Sequence, residues 1–250
     1  ARGTTEVAEL NLADFASGRN RFRLRAVRQE QGGYSIELRG QSLDTDRLLD
    51  SLTGEGTEAA PNPAGETAPA VPVQATLALD RVYVSAGDGA VYGANGVMIR
   101  NDGRWSTIDL AARTDTGAPL RLNYGEGDDG VERLVLTSDD AGATLRALDL
   151  TDSVEGGILT IGGRRIPKEG GEADTVFAGS AEMRGFRVVR APALARLLAA
   201  LSLPGLNNVL SSDGIGFDRL VAQYRLDGDV LSVSDARTSG GAPPAASPPS

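Results

Sequence analysis

The side chains that most often carry out catalysis are missing from this sequence, which contains no histidine and no cysteine. Without them the chain has neither a Ser-His-Asp nor a Cys-His arrangement for nucleophilic catalysis, and no zinc site of the usual nitrogen and sulfur type. A disulfide framework is excluded as well. Carboxylates are the groups that remain, so the acidic clusters are the first features to weigh.

Two acidic clusters have the residue types for acid–base or metal chemistry. Asp139 and Asp140 are adjacent, and two close carboxylates can separate their pKa values for catalysis. Neighbours in the first turn of a helix point to different sides, so we interpret this pair as charges at a helix N-terminus. Glu126, Asp128 and Asp129 offer oxygen ligands of the kind calcium prefers, without the longer ligand series of a calcium loop. An exposed turn is favoured there, and we predict no metal and no cofactor.

Charge and hydropathy argue against two classes of partner. The chain has 25 basic and 34 acidic side chains, which give a net charge of −9. Nucleic-acid binding relies on clustered cations that neutralise phosphates, so we expect no nucleic-acid partner. Gly162-Gly163-Arg164-Arg165 lacks the Lys-Ser/Thr of a phosphate-binding loop. The longest apolar stretch, around 193–203, is broken by Arg196 and is too short to span a bilayer.

Most of the patterned sequence alternates between polar and apolar residues, as do strands with one buried face. Phe22 and Leu24 alternate with arginines, and Ile36 and Leu38 repeat the pattern after a Gly-Gly turn. These two segments predict a hairpin with one wet face and one dry face. Asp-Gly and Asn-Gly turns between the remaining segments favour an antiparallel meander. We predict further strands at 75–84, 90–100, 104–111, 120–124, 131–137, 157–161, 185–189, 216–226 and 230–234.

Four short helices are predicted among the strands. Asp44 is a candidate N-cap for the first, and the second follows Ser138. The third begins near Pro192, and its leucines recur at the spacing of one helical face. The fourth covers 206–210. The apolar face of the third helix consists of Leu194, Leu197, Leu198 and Leu201.

Proline-rich segments divide the chain. Residues 53–70 and 239–250 have no apolar period and are rich in glycine, alanine, proline and hydroxyl residues, so we predict a disordered linker and a disordered tail. The linker separates an upstream hairpin and helix unit, residues 1–52, from a β domain at 71–238. Because patterned sequence begins almost at residue 1 with no targeting segment before it, we expect the chain to be part of a longer protein.

The second half of the chain contains an ordered series of short motifs. They are SDDAGATLRAL at 138–148, VEGG at 154–157, GFRVVRAPALARLL at 185–198, SLPGL at 202–206, GIGFDRL at 214–220 and DAR at 235–237. Together they resemble the C-terminal region of the AsmA-like family of bacterial envelope proteins, in particular its YhdP branch. Residues 34–52 resemble the upstream part of the same region. After Arg237 the sequence departs from the family pattern, which would continue with glycine-rich strands.

The resemblance implies a mainly β fold, in which a long twisted antiparallel sheet curls into an apolar groove with short capping α-helices. It also implies a periplasmic location within a protein anchored in the inner membrane. Family members are linked to phospholipid movement towards the outer membrane and to its barrier function. Phospholipid is therefore the expected partner, and membrane contact would come from parts of a longer chain.

We predict a non-enzymatic, lipid-conducting segment, because many strands and few helices leave apolar surface that acyl chains would cover. The predicted lipid-binding residues are Phe22, Leu24, Ile36, Leu38, Leu134, Leu136, Phe186, Val188, Tyr224, Leu226, Leu231 and Val233. The leucine face of the third helix would cap one end of the groove. The alternative is a structural cell-surface or periplasmic β-module with a closed core and no ligand. A carboxylate hydrolase is disfavoured, since no predicted element brings two acids together.

Overall fold

The structure, a computed structural model, describes residues 8–30, 32–45, 71–85, 87–101, 103–168, 171–189, 214–227 and 230–239. The predicted mainly β fold is confirmed: twelve strands follow one another in chain order within one unclosed sheet. The described residues contain one short helix. The elements are β1 Glu9–Ser17, β2 Asn20–Arg28, β3 Tyr34–Asp44, β4 Val73–Tyr83, β5 Ala90–Asn101, β6 Arg104–Arg113, β7 Pro119–Glu126, β8 Glu132–Ser138, α1 Ala141–Ala147, β9 Val154–Lys168, β10 Gly171–Val188, β11 Ile215–Asp227 and β12 Val230–Ser239.

The chain divides into two compact units, which we call unit 1 (residues 1–135) and unit 2 (residues 136–250). In unit 1, β3 pairs with β4, so the strands on both sides of the predicted linker belong to the same sheet. The linker itself lies outside the described residues. The predicted tail begins at Ser239, which is the last residue of β12, and the rest of that tail also lies outside the described set.

The β3–β4 pair is the exception to the predicted antiparallel arrangement, because these two strands run parallel. A parallel pair requires a connection that returns the chain to the end of the sheet where the first strand began. An eleven-residue strand such as β3 is about 36 Å long at roughly 3.3 Å per residue. In the sequence, the proline-rich stretch lies between these two parallel strands.

Alternation in unit 1 places apolar side chains on one face even where the strands are irregular. In β2, Phe22 and Leu24 are half-buried, whereas the arginines on either side of each are exposed. In β5, a register shift falls between Tyr92 and Asn95, and Gly93 adopts φ +58° there. This bulge inserts one extra residue, so Val91 and Ala94 are both buried despite their odd spacing.

Unit 2 contains strands β9 to β12 and the helix α1, which confirms the second predicted helix. Asp140 is its N-cap and accepts a hydrogen bond from the Ala143 backbone N–H at 2.9 Å. A Cβ at Gly142 would lie 2.4 Å from the Val154 carbonyl oxygen, so glycine allows α1 to approach β9 closely. The resulting core consists of Ala141, Val154, Leu159, Met183 and Phe186.

The other predicted helices fall wholly or largely outside the described residues. Asp44, the candidate N-cap of the first, is the last residue of β3, and residues 46–70 are not described. The third and fourth helices lie within 190–213, also outside the described set, and this range includes the proposed capping residues Leu194, Leu197, Leu198 and Leu201. None of the helical structure that is described has the length and hydropathy needed to cross a membrane.

Candidate functional site

The apolar face of unit 1 is built from two rows of side chains that cross strands β1 to β7. Residues directly opposite one another on neighbouring strands project to the same face of a sheet. The leucine row consists of Leu12, Leu24, Leu38, Leu77, Gly96, Leu110 and Leu122. The mixed row beside it consists of Leu10, Ala26, Ile36, Ala75, Met98, Ile108 and Tyr124. Apart from Gly96, every position in both rows carries an apolar or aromatic side chain.

Much of this face remains in contact with solvent. Leu10 and Leu12 on β1 are 45% and 38% exposed, and Leu24, Leu38 and Leu77 are half-buried. The described residues of unit 1 include neither a helix nor a second sheet that would cover the two rows. Contiguous exposed apolar surface is typical of protein–protein and membrane interaction sites and of ligand-binding grooves.

The packing of the face tightens towards one end. Leu79, Val82, Val91 and Ala94 are all buried there, next to the half-buried leucine row. At the same end Phe22 stacks on Phe15 with ring centroids 4.8 Å apart. The position opposite Phe22 is Gly40, where a Cβ would lie 2.5 Å from the Phe22 Cα. The face therefore has a closely packed end and a more open middle.

The opposite face of unit 1 is polar, as the arginine alternation predicted. Arg25 lies across from Glu37, and its Nε is 2.9 Å from a carboxylate oxygen of Glu9 on β1. Further along the sheet, the Asn123 side-chain amide donates a hydrogen bond to the Asp109 carboxylate at 3.0 Å. Charged and hydrogen-bonding groups thus keep one face in water, while the same strands present hydrocarbon on the other.

In unit 2, three of the predicted lipid-binding residues belong to a packed core. Phe186 is 3% exposed and lies in the cluster formed by α1, β9 and β10, stacked on Phe217 with ring centroids 5.3 Å apart. Val188 and Leu136 pack against the same cluster. Alternation placed Phe186 and Val188 on the apolar face, but α1 packs on that face, so their contacts are with protein.

Four other predicted residues lie on a more open stretch of unit 2. Tyr224 lies opposite Val233, and Leu226 lies opposite Leu231, which is 58% exposed. The Tyr224 ring crosses Gly163, where a Cβ would lie 2.1 Å from the phenolic oxygen. Partial burial raises the pKa of Tyr224.

The structure brings Phe22, Leu24, Ile36 and Leu38 together on the apolar face of unit 1. The last predicted residue, Leu134, is half-buried in β8. The alternation that identified β2 and β3 also runs through β4, β6 and β7 in the sequence. It was the available signal for further members of the leucine row that were not singled out, namely Leu77, Leu110 and Leu122.

Two acidic side chains, Asp129 and Glu182, form ion pairs with arginines. Asp129 accepts two hydrogen bonds from the Arg133 guanidinium, at 2.7 and 2.5 Å, and these hold the pKa of Asp129 well below its usual range. Glu182 in unit 2 lies between Arg184 and Arg219, whose Nε atoms are 2.6 and 2.5 Å away. Their hydrogen bonds, first that of Arg184, lower the pKa of Glu182 to about 2.

Among the described residues, no group of three or more acidic side chains is placed to hold a metal ion.

No family model matches the chain, and no curated protein or solved structure is significantly similar to it. The resemblance carried by the motifs in the second half of the chain therefore stays a prediction.

Proposed function

We propose that this chain is a non-enzymatic, lipid-conducting segment of an envelope protein, and that the apolar face of unit 1 holds phospholipid acyl chains. The observation that carries the proposal is the pair of apolar rows, the leucine row and the mixed row, crossing seven consecutive strands. The proposal places the segment in the periplasm, within a protein anchored in the inner membrane, for transport between the inner and outer membranes and maintenance of the outer-membrane barrier.

The dimensions of the rows suit an acyl chain. Seven strands are separated by six spacings of about 4.8 Å, so each row is roughly 29 Å long. That length is close to the thickness of the hydrocarbon core of a bilayer, which two opposed acyl chains fill. One acyl chain therefore fits on a row with room to slide along it.

The energetics suit conduction rather than selective capture. Each methylene removed from water contributes about 0.8 kcal/mol, and the hydrophobic effect has no directional requirement. Because successive strands present similar side chains, a lipid tail would move along the row without meeting a deep minimum. A headgroup would stay in water and would need no dedicated polar site on this face.

The lowered pKa values of two carboxyl groups agree with a non-enzymatic role. Asp129 and Glu182 are the described acids with markedly lowered pKa values, and arginine hydrogen bonds keep both ionised. A general acid or base at neutral pH needs a pKa near 7. The pKa values of these two carboxylates are shifted away from 7, to lower values, as expected for structural ion pairs.

A structural β-module is the second candidate, and the packing in unit 2 favours it. There α1 and strands β9 and β10 enclose Leu159, Met183 and Phe186 in a core in which all three side chains are buried. If the apolar face of unit 1 were covered in the same way, the whole chain would be a scaffold without a lipid.

Site-specific photo-crosslinking along β4 tests the proposal directly. A photoreactive amino acid is placed in turn at Gln74, Ala75, Thr76 and Leu77 in the full chain, which is expressed in the periplasm. Ala75 and Leu77 belong to the apolar rows, and Gln74 and Thr76 are exposed on the other face. We expect phospholipid adducts at the first two positions and not at the second two. Equal labelling at all four positions, or at none, would contradict lipid binding on this face.

Native mass spectrometry followed by organic extraction separates the two candidate functions. Phospholipid bound near stoichiometry supports the conducting segment. A stably folded chain that carries no lipid supports the structural module, in which apolar faces contact only protein.

A further inference from the structure

The polar face of β2 and β3 carries a local concentration of arginine in an otherwise acidic chain. Arg21, Arg23 and Arg25 occur at alternate positions of β2, and Arg39 lies on β3. The net charge of the whole chain is −9. A cluster of cations against that background requires a local explanation.

Arg23 lies directly opposite Arg39 in the antiparallel pair. Like charges at opposed positions of neighbouring strands repel and destabilise the pairing. Two residues further along β2, on the same face, Arg25 lies opposite Glu37. The Arg23–Arg39 pair is therefore a place where the sheet accepts repulsion that a carboxylate would relieve.

The neighbouring carboxylates contact the other arginines. Glu9 is 2.9 Å from the Arg25 Nε, and Glu37 forms an ion pair with Arg39. Of the ion pairs formed among the described residues, none includes Arg23. Arg21 is absent from those ion pairs too, so the guanidinium groups of Arg21 and Arg23 are the cations of this cluster that have capacity for an anion.

A cleft of about 470 Å³ lies over these residues, and we call it the cationic cleft. Arg23, Arg25 and Arg39 line it together with Asn11, Ala13 and Leu24, and Glu37 is the single acidic residue in its wall. With Glu9, whose carboxylate contacts Arg25, three cations and two anions give a local charge of 3 − 2 = +1. A neighbouring cleft of about 540 Å³ shares Arg23 and Arg39 and also includes Arg21, Asp14 and Asp80.

We propose that the cationic cleft binds a phosphate monoester or diester. A guanidinium presents planar, paired N–H donors that match two oxygens of a phosphate, and several arginines around one anion form the strong, charge-assisted class of hydrogen bond. An anion bound between Arg23 and Arg39 would turn their repulsion into shared attraction. These arginines alternate with Leu24 on β2 and with Leu38 on β3 and so project from the opposite face of the strands, and Leu24 also borders the cleft.

The test measures phosphate binding by the full chain and by two variants at low ionic strength, where surface charges are least screened. Inorganic phosphate is titrated calorimetrically into the wild type, Arg23→Gln and Arg121→Gln. Arg121 is an exposed arginine on β7 that does not line the cleft, so it is the matched control. Loss of one charge-assisted contact weakens binding about tenfold, which we expect for Arg23→Gln and not for Arg121→Gln.

A second experiment, vesicle flotation, distinguishes binding of a lipid headgroup from binding of free phosphate. Vesicles of phosphatidylcholine with and without phosphatidylglycerol are floated with the same three proteins. Binding that requires phosphatidylglycerol and is lost in Arg23→Gln supports a headgroup phosphodiester, whereas inorganic phosphate binding with no vesicle preference supports a free phosphate. Failure of the wild type to bind either probe, or equal losses in Arg23→Gln and Arg121→Gln, would overturn the site.

Folding of the variant can be checked independently. Because Arg23→Gln removes a like-charge pair, we expect its thermal midpoint without phosphate to be no lower than that of the wild type. Added phosphate should raise the midpoint of the wild type and leave that of Arg23→Gln unchanged. A midpoint that rises equally in both proteins would count against the cleft.

Discussion

Leu38 in unit 1 and Phe186 in unit 2 occupy equivalent positions in their sequence patterns, yet their surroundings differ. Each is an apolar strand residue followed by an arginine, Arg39 after Leu38 and Arg187 after Phe186. Leu38 is half-buried in a row that crosses seven strands, whereas Phe186 is 3% exposed in a core that α1 helps to form. Alternation therefore determines which face a residue joins, and a separate element determines whether that face is closed.

Gly96 in unit 1 and Gly142 in unit 2 have different structural roles. Gly96 interrupts the leucine row at φ +156°, where a Cβ would lie 2.0 Å from the Asp109 carbonyl oxygen. Gly142 in α1 allows a helix to approach a strand. Gly96 thus allows two strands of a sheet to pair closely, and Gly142 allows a helix to pack against a strand.

The largest effect is expected where the apolar face is closed. Phe186→Ala removes a buried aromatic ring, which typically costs about 3–5 kcal/mol of stability. Leu231→Ala, at an exposed position of the same unit, should change stability by no more than about 0.5 kcal/mol. Hydrogen exchange of the β10 amides measures both variants. Similar losses of protection in the two would contradict the division between the closed core and the open stretch.

Within unit 1, Gly96→Ala should be the most disruptive small substitution. The added methyl group would overlap the β6 backbone, and overpacking of this kind costs about 1–3 kcal/mol. Denaturant unfolding followed by fluorescence of Trp105, the single tryptophan of the chain and a residue of β6, reports the change. The control is Gly125→Ala in β7, where the atom nearest to an added Cβ, the Ser106 carbonyl oxygen, lies 3.7 Å away. If the control lost as much stability, the close approach at Gly96 would not be the cause.

Removing the cap of α1 should make unit 2 resemble unit 1. Asp140→Ala deletes the side chain that accepts from the Ala143 N–H, at a cost of about 1 kcal/mol. Fraying of α1 would expose the core face, and we expect increased binding of an apolar dye. Asp139→Ala is the matched control, because the exposed neighbouring acid does not cap the helix. Equal dye binding by the two variants would argue against α1 as the cover.

The smallest expected effect is a change in the stability of unit 2 with pH, which comes from Glu182 and its two arginine partners. The pKa of Glu182 falls from 4.5 to about 2 in the folded chain. A carboxyl group with a lowered folded-state pKa stabilises the protein above its unfolded pKa, and the contribution disappears as the pH falls through the folded value. The stability difference between the wild type and Glu182→Gln should be constant near neutral pH and shrink between about pH 4.5 and 2. A difference that stays constant across this window would show that the arginine contacts do not act through ionisation.

Much of the fold was predictable because alternation is a local property of the chain. Strands β2 to β7 follow directly from it, and the acids before α1 indicated the helix N-terminus. Strand β1 was missed, since its register shifts between Leu12 and Phe15 and breaks the two-residue period. The parallel pairing of β3 with β4 was missed as well, because it depends on which strands meet after a long connection.

The amino-acid sequence alone determined that the chain forms strands with one apolar and one charged face, since a two-residue period sends successive side chains to opposite sides. It also determined that histidine and cysteine chemistry is absent. Tertiary structure decided the rest: which side chains align into rows, where α1 closes the apolar face, and that Arg23 meets Arg39. Those outcomes depend on strand register and on contacts between residues distant in sequence, which no local pattern specifies.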